Sequence, residues 1–226
     1  MAGDDDRGMA DRPSLHTVVG GSAGIGARTP HLDALIELAD SNSSTVPWVE
    51  LLADNWLSSG GATAAYLEQL ASRYPVTVHG VGLSIGSVTA LDRSYLLRVK
   101  SLLERSGALL YSEHLSFSQT SAGFIPDLLP LPYNEEALRH VVDRVQQVQD
   151  VLGQAIVLEN VSAYIASYSD DFSEAGFLAE LAKRSGCGLL VDVNNYYVNE
   201  INLGRNAEAA LAELPASAIA EIHLGG

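Results

Sequence analysis

Short apolar runs alternate along the chain with longer stretches of helical period. The strand-like runs are VVGGSAGIGA (18–27), VPWVELL (46–52), PVTVHGV (75–81), ALLYSEH (108–114), AIVLEN (155–160), GLLVDVN (188–194) and AIAEIHL (218–224). Between them, LDALIELAD, AAYLEQLASRY, YLLRVKSLLERSG, EEALRHVVDRVQQVQDVLG, FLAELAKRSG and AEAALAELP place apolar residues at i, i+3, i+4 and i+7, the stripe of an amphipathic helix. Pro75, Gly107, Gly153 and Gly186 stop several of these stripes. Strand ends near 50, 79, 114, 159, 192 and 223 recur at intervals of 29 to 45 residues, the spacing of repeated strand–helix units.

Strands that are apolar on both faces and joined by helices predict a parallel sheet. An open doubly wound sheet wants a glycine-rich turn of dinucleotide spacing after its first strand, and GGSAGIGA lacks that spacing. A barrel wants polar residues at the C-terminal ends of many strands, and the runs end that way. The fold class expected is therefore α/β, a TIM (β/α)8-type barrel. The acidic, arginine-bearing start, residues 1–17, predicts a disordered arm, and residues 18–226 the barrel domain.

The polar strand ends deliver Glu50, His79, His114, Glu159 with Asn160, Asp192 with Asn194, and Glu221 with His223. In an extended strand, residues two apart share a face, so Asp192 with Asn194 and Glu221 with His223 are expected to point the same way. A single histidine at a strand end is ordinarily a hydrogen-bonded core residue. Six strand ends converging on one rim ask for a common cause. Imidazoles and carboxylates without thiolates suit Fe(II), Mn(II) or Zn(II), with a carboxylate able to bridge two ions. A cation would also compensate Asp192 at the end of an apolar run.

Other residues are assigned plainer parts. Glu113, on the face opposite His114, is expected in a salt bridge or a helix cap. His16 and His140 read as surface residues, and His31 stays open beside the first strand. Asn134 is placed as a helix N-cap. Tyr133 either reaches the pocket or packs. The glycines of HGVGLSIGS (79–87) either cradle an anion or let the loop turn over the rim.

Composition narrows the picture. The net charge of −15 opposes a nucleic-acid-gripping surface. No apolar run approaches the ~18–20 residues of a membrane helix, and the start lacks the apolar core of a signal peptide. A single cysteine, Cys187, excludes an internal disulfide framework and a cysteine-rich zinc site, and it reads as buried. A cytoplasmic location fits.

HGVGLSIGS, YSEHLSFS, LLPLPYNEEAL, LLVDVNNYYVN and EIHLGG together resemble the UPF0276 (DUF692) family, the multinuclear non-heme iron-dependent oxidative enzymes. The similarity runs from about residue 20 to the last residue. The resemblance implies a xylose-isomerase-like TIM barrel with two or three irons at its mouth. It implies oxidation of cysteines in ribosomally made precursor peptides by dioxygen, with a partner protein that binds the peptide leader. By position in the motifs it supports His79, His114, Glu159, Asp192 and His223 as metal ligands, with Asn160 and Asn194 as ligands or supports. Two stretches depart from the family pattern: LLADNWL, with Asp54 where a glutamate is usual, and GIGARTPH.

The leading expectation is an iron-dependent, O2-using enzyme that modifies cysteines of a precursor peptide. The alternatives are a divalent-metal isomerase or phosphodiesterase on the same barrel, and a non-catalytic chain. The last enters because the chain stops at EIHLGG, where the resemblance implies a further histidine-containing turn and an eighth strand carrying a glutamate. On that reading the first and seventh strands have unpaired edges, and the chain is less stable and less active than a complete relative.

Overall fold

The computed structural model describes residues 20–41, 45–57, 60–167 and 169–225. The expected arm, residues 1–17, and His16 lie outside them. The elements run β1 (Ile25–Gly26), α1 (Leu32–Asp40), β2 (Val49–Leu52), α2 (Gly61–Ala71), β3 (Val76–Gly80), α3 (Arg93–Ser106) and β4 (Leu110–His114). They continue as β5 (Phe117–Thr120), β6 (Gly123–Leu129), α4 (Glu135–Leu152), β7 (Val157–Glu159), α5 (Glu174–Ser185), β8 (Gly188–Asp192), α6 (Val193–Leu203), α7 (Ala207–Glu213) and β9 (Ile219–His223).

Seven strands form one parallel sheet in the order β1-β2-β3-β4-β7-β8-β9, as the spacing predicts, while β5 and β6 make a separate antiparallel hairpin. The sheet is curled. His223 at the end of β9 hydrogen-bonds Glu50 on β2, so strands five places apart in the sheet meet across its concave side. Among the described residues, β1 pairs only with β2 and β9 only with β8.

Period two divides each strand between two cores. Val49, Leu51, Val76, Val78, Tyr111, Leu158 and Val191 face outward into the main core, against helix residues such as Leu67, Val99, Val141 and Phe177. Leu110, Val157 and Leu190, with Ala220, fill the concave side as a small separate cluster. The next inward positions along those strands are Ser112, Glu159 and Asp192. An apolar plug thus closes the interior below, and polar side chains lie above it at the C-terminal rim. Full burial of each aliphatic side chain contributes about 1.5–3 kcal/mol, so the plug also fixes the height at which the polar layer begins.

The helices end where the sequence says they should. Gly107, Gly153 and Gly186 cap α3, α4 and α5 in the left-handed conformation, with φ of 62°, 77° and 74°. Asn134 caps α4 by accepting from the Ala137 N–H at 2.9 Å. Two features depart from expectation. The run 188–194 stays extended only to Asp192, where a helix takes over. Among its described residues, the first run is a strand over Ile25–Gly26.

Candidate metal centre

The inward positions of β2, β3, β4, β7, β8 and β9 bring Glu50, His79, His114, Glu159, Asp192 and His223 to one place. Three overlapping groups have ligand atoms within 4.8 Å of one another: Glu50, His79 and His223; His79, His114 and Glu159; and Glu159, Asp192 and His223. The His79 ring lies 4.6 Å from that of His114 and 5.0 Å from that of His223, centroid to centroid.

Glu159 is the hub. It is 2% exposed. Its Oε2 lies 3.3 Å from His79 Nε2 and 3.2 Å from His114 Nε2, yet accepts no hydrogen bond. Its Oε1 lies 3.7 Å from His223 Nδ1 and 3.5 Å from the Asn195 amide nitrogen.

The histidines are oriented from behind. His114 Nδ1 is 3.0 Å from the carbonyl oxygen of Gly80, which can only accept. The proton therefore sits on Nδ1, and the Nε2 lone pair faces Glu159. His79 Nδ1 meets the Ser112 hydroxyl at 2.8 Å, leaving its Nε2 inward. His223 Nε2 donates to Glu50 Oε2 at 2.9 Å. Burial, with the neighbouring His114, His223 and Arg28, lowers His79 to about 2, so it is neutral at any physiological pH. Burial opposes protonation of His223 too, but hydrogen bonds to Glu159 and Glu50 outweigh it and raise the group to about 10. Glu221 sits one inward position before His223. Burial first, then the charge of Glu50, raises its carboxyl to about 7, and neither oxygen has a hydrogen-bond partner among the described residues.

At Glu159 Oε2 the cluster thus holds a carboxylate oxygen against two imidazole nitrogens with no hydrogen bond between them. A buried carboxylate oxygen that faces two imidazole nitrogens and accepts from neither is costly. A divalent cation answers that arrangement, because it accepts electron pairs from all three. The donor set of imidazole and carboxylate, without thiolate, matches the sequence expectation in chemical type.

The two asparagines behave differently from each other. Asn160 accepts from the Asp192 N–H at 2.8 Å and donates to the Asp192 carbonyl at 3.1 Å. Its amide thus continues the β7–β8 ladder and fixes Asp192. Asn194 is exposed. The period-two argument fails there because Val193 begins α6, and a helix turns the next residue away. Asn195 takes the inward place instead. Its N–H is capped by Asp192 Oδ1 at 2.8 Å, and its amide donates to the Asn160 carbonyl at 2.8 Å as well as facing Glu159. The cue was present in the spacing Asp-x-x-Asn of a helix N-cap, read there as the end of a strand.

Among the described residues Glu113 has neither an ion pair nor a helix to cap. Fully buried, it accepts from the Leu83 N–H at 2.9 Å and the His114 N–H at 2.8 Å, and so ties the loop after β3 to β4. A Cβ on Gly80 would lie 2.6 Å from Tyr111 Oη, and one on Gly82 would lie 2.6 Å from Asp54 Oδ1. The glycines therefore let the loop press against acidic and phenolic groups, which is no place for an anion. The loop's carbonyls at Ser84, Ile85 and Thr89 are taken by Arg144. His140 is half-buried and donates to the Ser87 carbonyl at 2.8 Å, a structural role and not a surface one. His31 is exposed at the start of α1, and Cys187 is buried. Tyr133 packs on Phe177 and beneath the Arg205 guanidinium.

Comparison with known proteins shows the fold and the family. A UPF0276 protein of Chromobacterium violaceum is 44% identical over 93% of this chain and 74% of its own. A UPF0276 protein of Anaeromyxobacter sp. is also 44% identical, over 90% of this chain and 70% of its own. Among solved structures, a D-psicose 3-epimerase matches with TM-score 0.58 at 12% identity, covering 90% of this chain and 73% of the other. Endonuclease IV of Thermus thermophilus matches with TM-score 0.53 at 12% identity, covering 90% and 78%. At such identities these structures show a shared TIM-barrel fold and nothing of the reaction. Residues 22–226 match the family described as RiPP precursor modification enzyme MbnB/TglH/ChrH. By that match and by its 44%-identical relatives, the chain belongs to the MbnB/TglH/ChrH family of RiPP precursor modification enzymes.

Proposed function

We propose that the chain is an iron-dependent enzyme that oxidises cysteine residues of a ribosomally made precursor peptide with dioxygen. A leader-binding partner protein would present the peptide. The observation that carries this reading is Glu159 Oε2, buried between two imidazole nitrogens with no donor of its own.

The three overlapping groups do not support three independent ions. Once one ring nitrogen is engaged from behind, Nδ1 in His79 and His114 and Nε2 in His223, an imidazole offers one nitrogen to an ion. His79 therefore serves one ion, and so does His223. The groups His79–His114–Glu159 and Glu159–Asp192–His223 share only Glu159, whose two oxygens face them separately. We infer that His79, His114 and Glu159 would hold one ion, and that Asp192 and His223, with Glu159 again, would hold a second. Glu50 then acts as the acceptor that holds the His223 proton on Nε2, so that the proton an arriving ion would displace is the one on Nδ1.

When bound there, iron supplies Lewis acidity and one-electron chemistry towards dioxygen and a thiol. The chain's own residues do the rest. Ser112, Gly80 and Glu50 fix the three rings. Asn160 and Asn195 fix Asp192 and Glu159. Arg28 at the end of β1 adds positive charge near His79, which favours the thiolate form of an approaching cysteine. The apolar plug below keeps bulk water from reaching the cluster through the barrel floor.

The test is direct. The chain, purified without oxygen and loaded with Fe(II), is mixed with a cysteine-containing precursor peptide and then exposed to air. Oxygen uptake and a peptide mass change are expected, both abolished when the cysteine is replaced by serine and both reduced by His114→Ala. Oxygen uptake indifferent to the cysteine, or a chain that binds no iron, would overturn the reading.

A further inference from the structure

His114 is held at two points, and both lead to Glu113. The His114 N–H donates to Glu113 Oε2 at 2.8 Å. The His114 ring is turned by the Gly80 carbonyl, 3.0 Å from Nδ1, and Gly80 is the partner of Glu113 across the parallel β3–β4 ladder. A Cβ on Gly80 would lie 2.7 Å from Glu113 Oε1, so the Gly80 backbone rests directly on that carboxylate. One buried side chain therefore sets both the backbone of His114 and the acceptor that aims its ring.

The carboxylate is itself anchored. Its Oε1 accepts from the Leu83 N–H at 2.9 Å, in the loop after β3. That loop is held from two further sides. The buried guanidinium of Arg144 donates to the Ile85 carbonyl at 2.6 Å and the Thr89 carbonyl at 2.7 Å. The Ser84 hydroxyl accepts from the Ser118 N–H of β5 at 2.8 Å. Ser84 has φ 52°, in the left-handed region, where a residue bearing a Cβ stays only if its surroundings over-determine it. The loop is thus a fixed stop for Glu113 and not a flexible cover.

The residue type fits the task. Both oxygens of a glutamate accept, and each meets one backbone N–H here. A glutamine of the same shape turns its NH2 group towards one of those two donors. An aspartate is one methylene too short to span them. An apolar side chain leaves both N–H groups buried without an acceptor. A carboxylate kept in full burial, with no cation beside it among the described residues, is matched to these two donors and through them to the seat of His114.

We propose that Glu113 is a positioning residue for one ion of the pair, the ion at His79, His114 and Glu159: its carboxylate, braced on the loop after β3, aims His114 at the cluster. The ion at Asp192 and His223 takes no support from it. The inference rests on the metal-centre reading above. A carboxylate with a structural role alone would lower stability and either spare both ions or weaken both alike.

The probe is Co(II), whose visible absorption reports the ligands around each bound ion. It is titrated into the full metal-free chain and its variants, in competition with a chelator of known affinity. His114→Ala and His223→Ala identify which binding step belongs to which ion. Glu113→Gln is expected to weaken the step that His114→Ala removes by about 10–100-fold, the usual effect of losing a group that orients a ligand. The absorption of that ion is expected to change, and the other step to stay as it was. Leu67→Ala, a cavity in the outer core on α2, is the control for lost stability. It is expected to melt lower and to keep both steps. Glu113→Gln that melts lower with both steps intact, or with both weakened alike, would overturn the proposal. Should Glu113→Gln fail to fold, Arg144→Lys decides, since it loosens the loop and leaves every group touching His114 in place. The same single step is then expected to weaken, and both steps intact would overturn the proposal. An unaltered chain that takes up no Co(II) overturns the metal centre and this inference with it, whereas two normal steps that ignore Glu113 overturn this inference alone.

Discussion

Glu113 and Glu159 are both buried carboxylates, on neighbouring strands, and they meet the cost of desolvation differently. Glu113 has two backbone N–H donors and needs no ion. Glu159 has on its Oε2 only two imidazole nitrogens, at 3.2 and 3.3 Å, that give it no hydrogen bond, and its hydrogen bond from Asn195 is long. Residue identity alone does not separate the two cases; the face of the strand does. The same logic gives Ser112 a measurable part. Its hydroxyl holds the His79 ring at Nδ1, outside the ligand set. Ser112→Ala is expected to weaken metal binding about 10–100-fold, the usual effect of losing a group that orients a ligand. It should change folding stability little. Competition with a chelator of known affinity measures the first and a urea titration the second. Unchanged affinity would mean that packing alone orients His79.

Helix α6 was not legible in the sequence, and it matters most to the site after the strand ends. The run GLLVDV reads as a strand that continues, and NNYYVNEINL mixes asparagine with β-branched and aromatic residues, which are indifferent helix formers. The helix forms because Asp192 caps it, Gly204 ends it at φ 67° and Tyr196 and Asn199 are buried on one side. The β5–β6 hairpin escaped as well, since FSQT and GFIPDLL are short, largely exposed strands with a weak pattern. The strand ends were legible because a polar residue at the inward rim of a buried strand has no ordinary explanation. Asn199 is the helix's anchor. Its amide donates to the Val161 carbonyl and to Glu174, and its oxygen accepts from the Ala163 N–H at 2.6 Å. Asn199→Ala is expected to cost about 2–4 kcal/mol, since buried partners on the loop after Glu159 are left unmatched. A loss below about 0.5 kcal/mol in a denaturant titration would show the loop to be held by other means. Glu174 in the same junction has its carboxyl raised, by burial above all, against the pull of Arg205. A raised carboxyl contributes stability when protonated, below its ordinary range, and loses that contribution as pH rises through the folded value. Glu174→Gln should therefore flatten the fall in stability with rising pH that this group imposes. A pH profile of melting temperature identical to that of the unaltered chain would contradict it.

At the scale of the molecule, the curl of one parallel sheet turns six separate strand ends into a single cluster. Glu50 and His223 are 173 residues apart and joined at 2.9 Å. The helices and the outer core set that curl, and the plug of Leu110, Val157 and Leu190 sets the depth. No helix among the described residues is long and apolar enough to cross a membrane. The barrel is shared with sugar epimerases and an endonuclease at 12–16% identity, so the fold leaves the chemistry to the rim. The central claim is that the rim is built around cations and is strained without them. The measurement is the melting temperature of the metal-free chain and of its Glu159→Gln variant, each titrated with Fe(II) under anaerobic conditions while bound iron is counted. The account predicts about two ions per unaltered chain and a melting temperature that climbs with free Fe(II), as mass action requires. It predicts that metal-free Glu159→Gln melts as high as the unaltered chain or higher, and gains neither iron nor stability in the titration. A metal-free variant that melts lower, together with an unaltered chain indifferent to Fe(II), would show that Glu159 is a structural carboxylate and that the cluster is no metal centre.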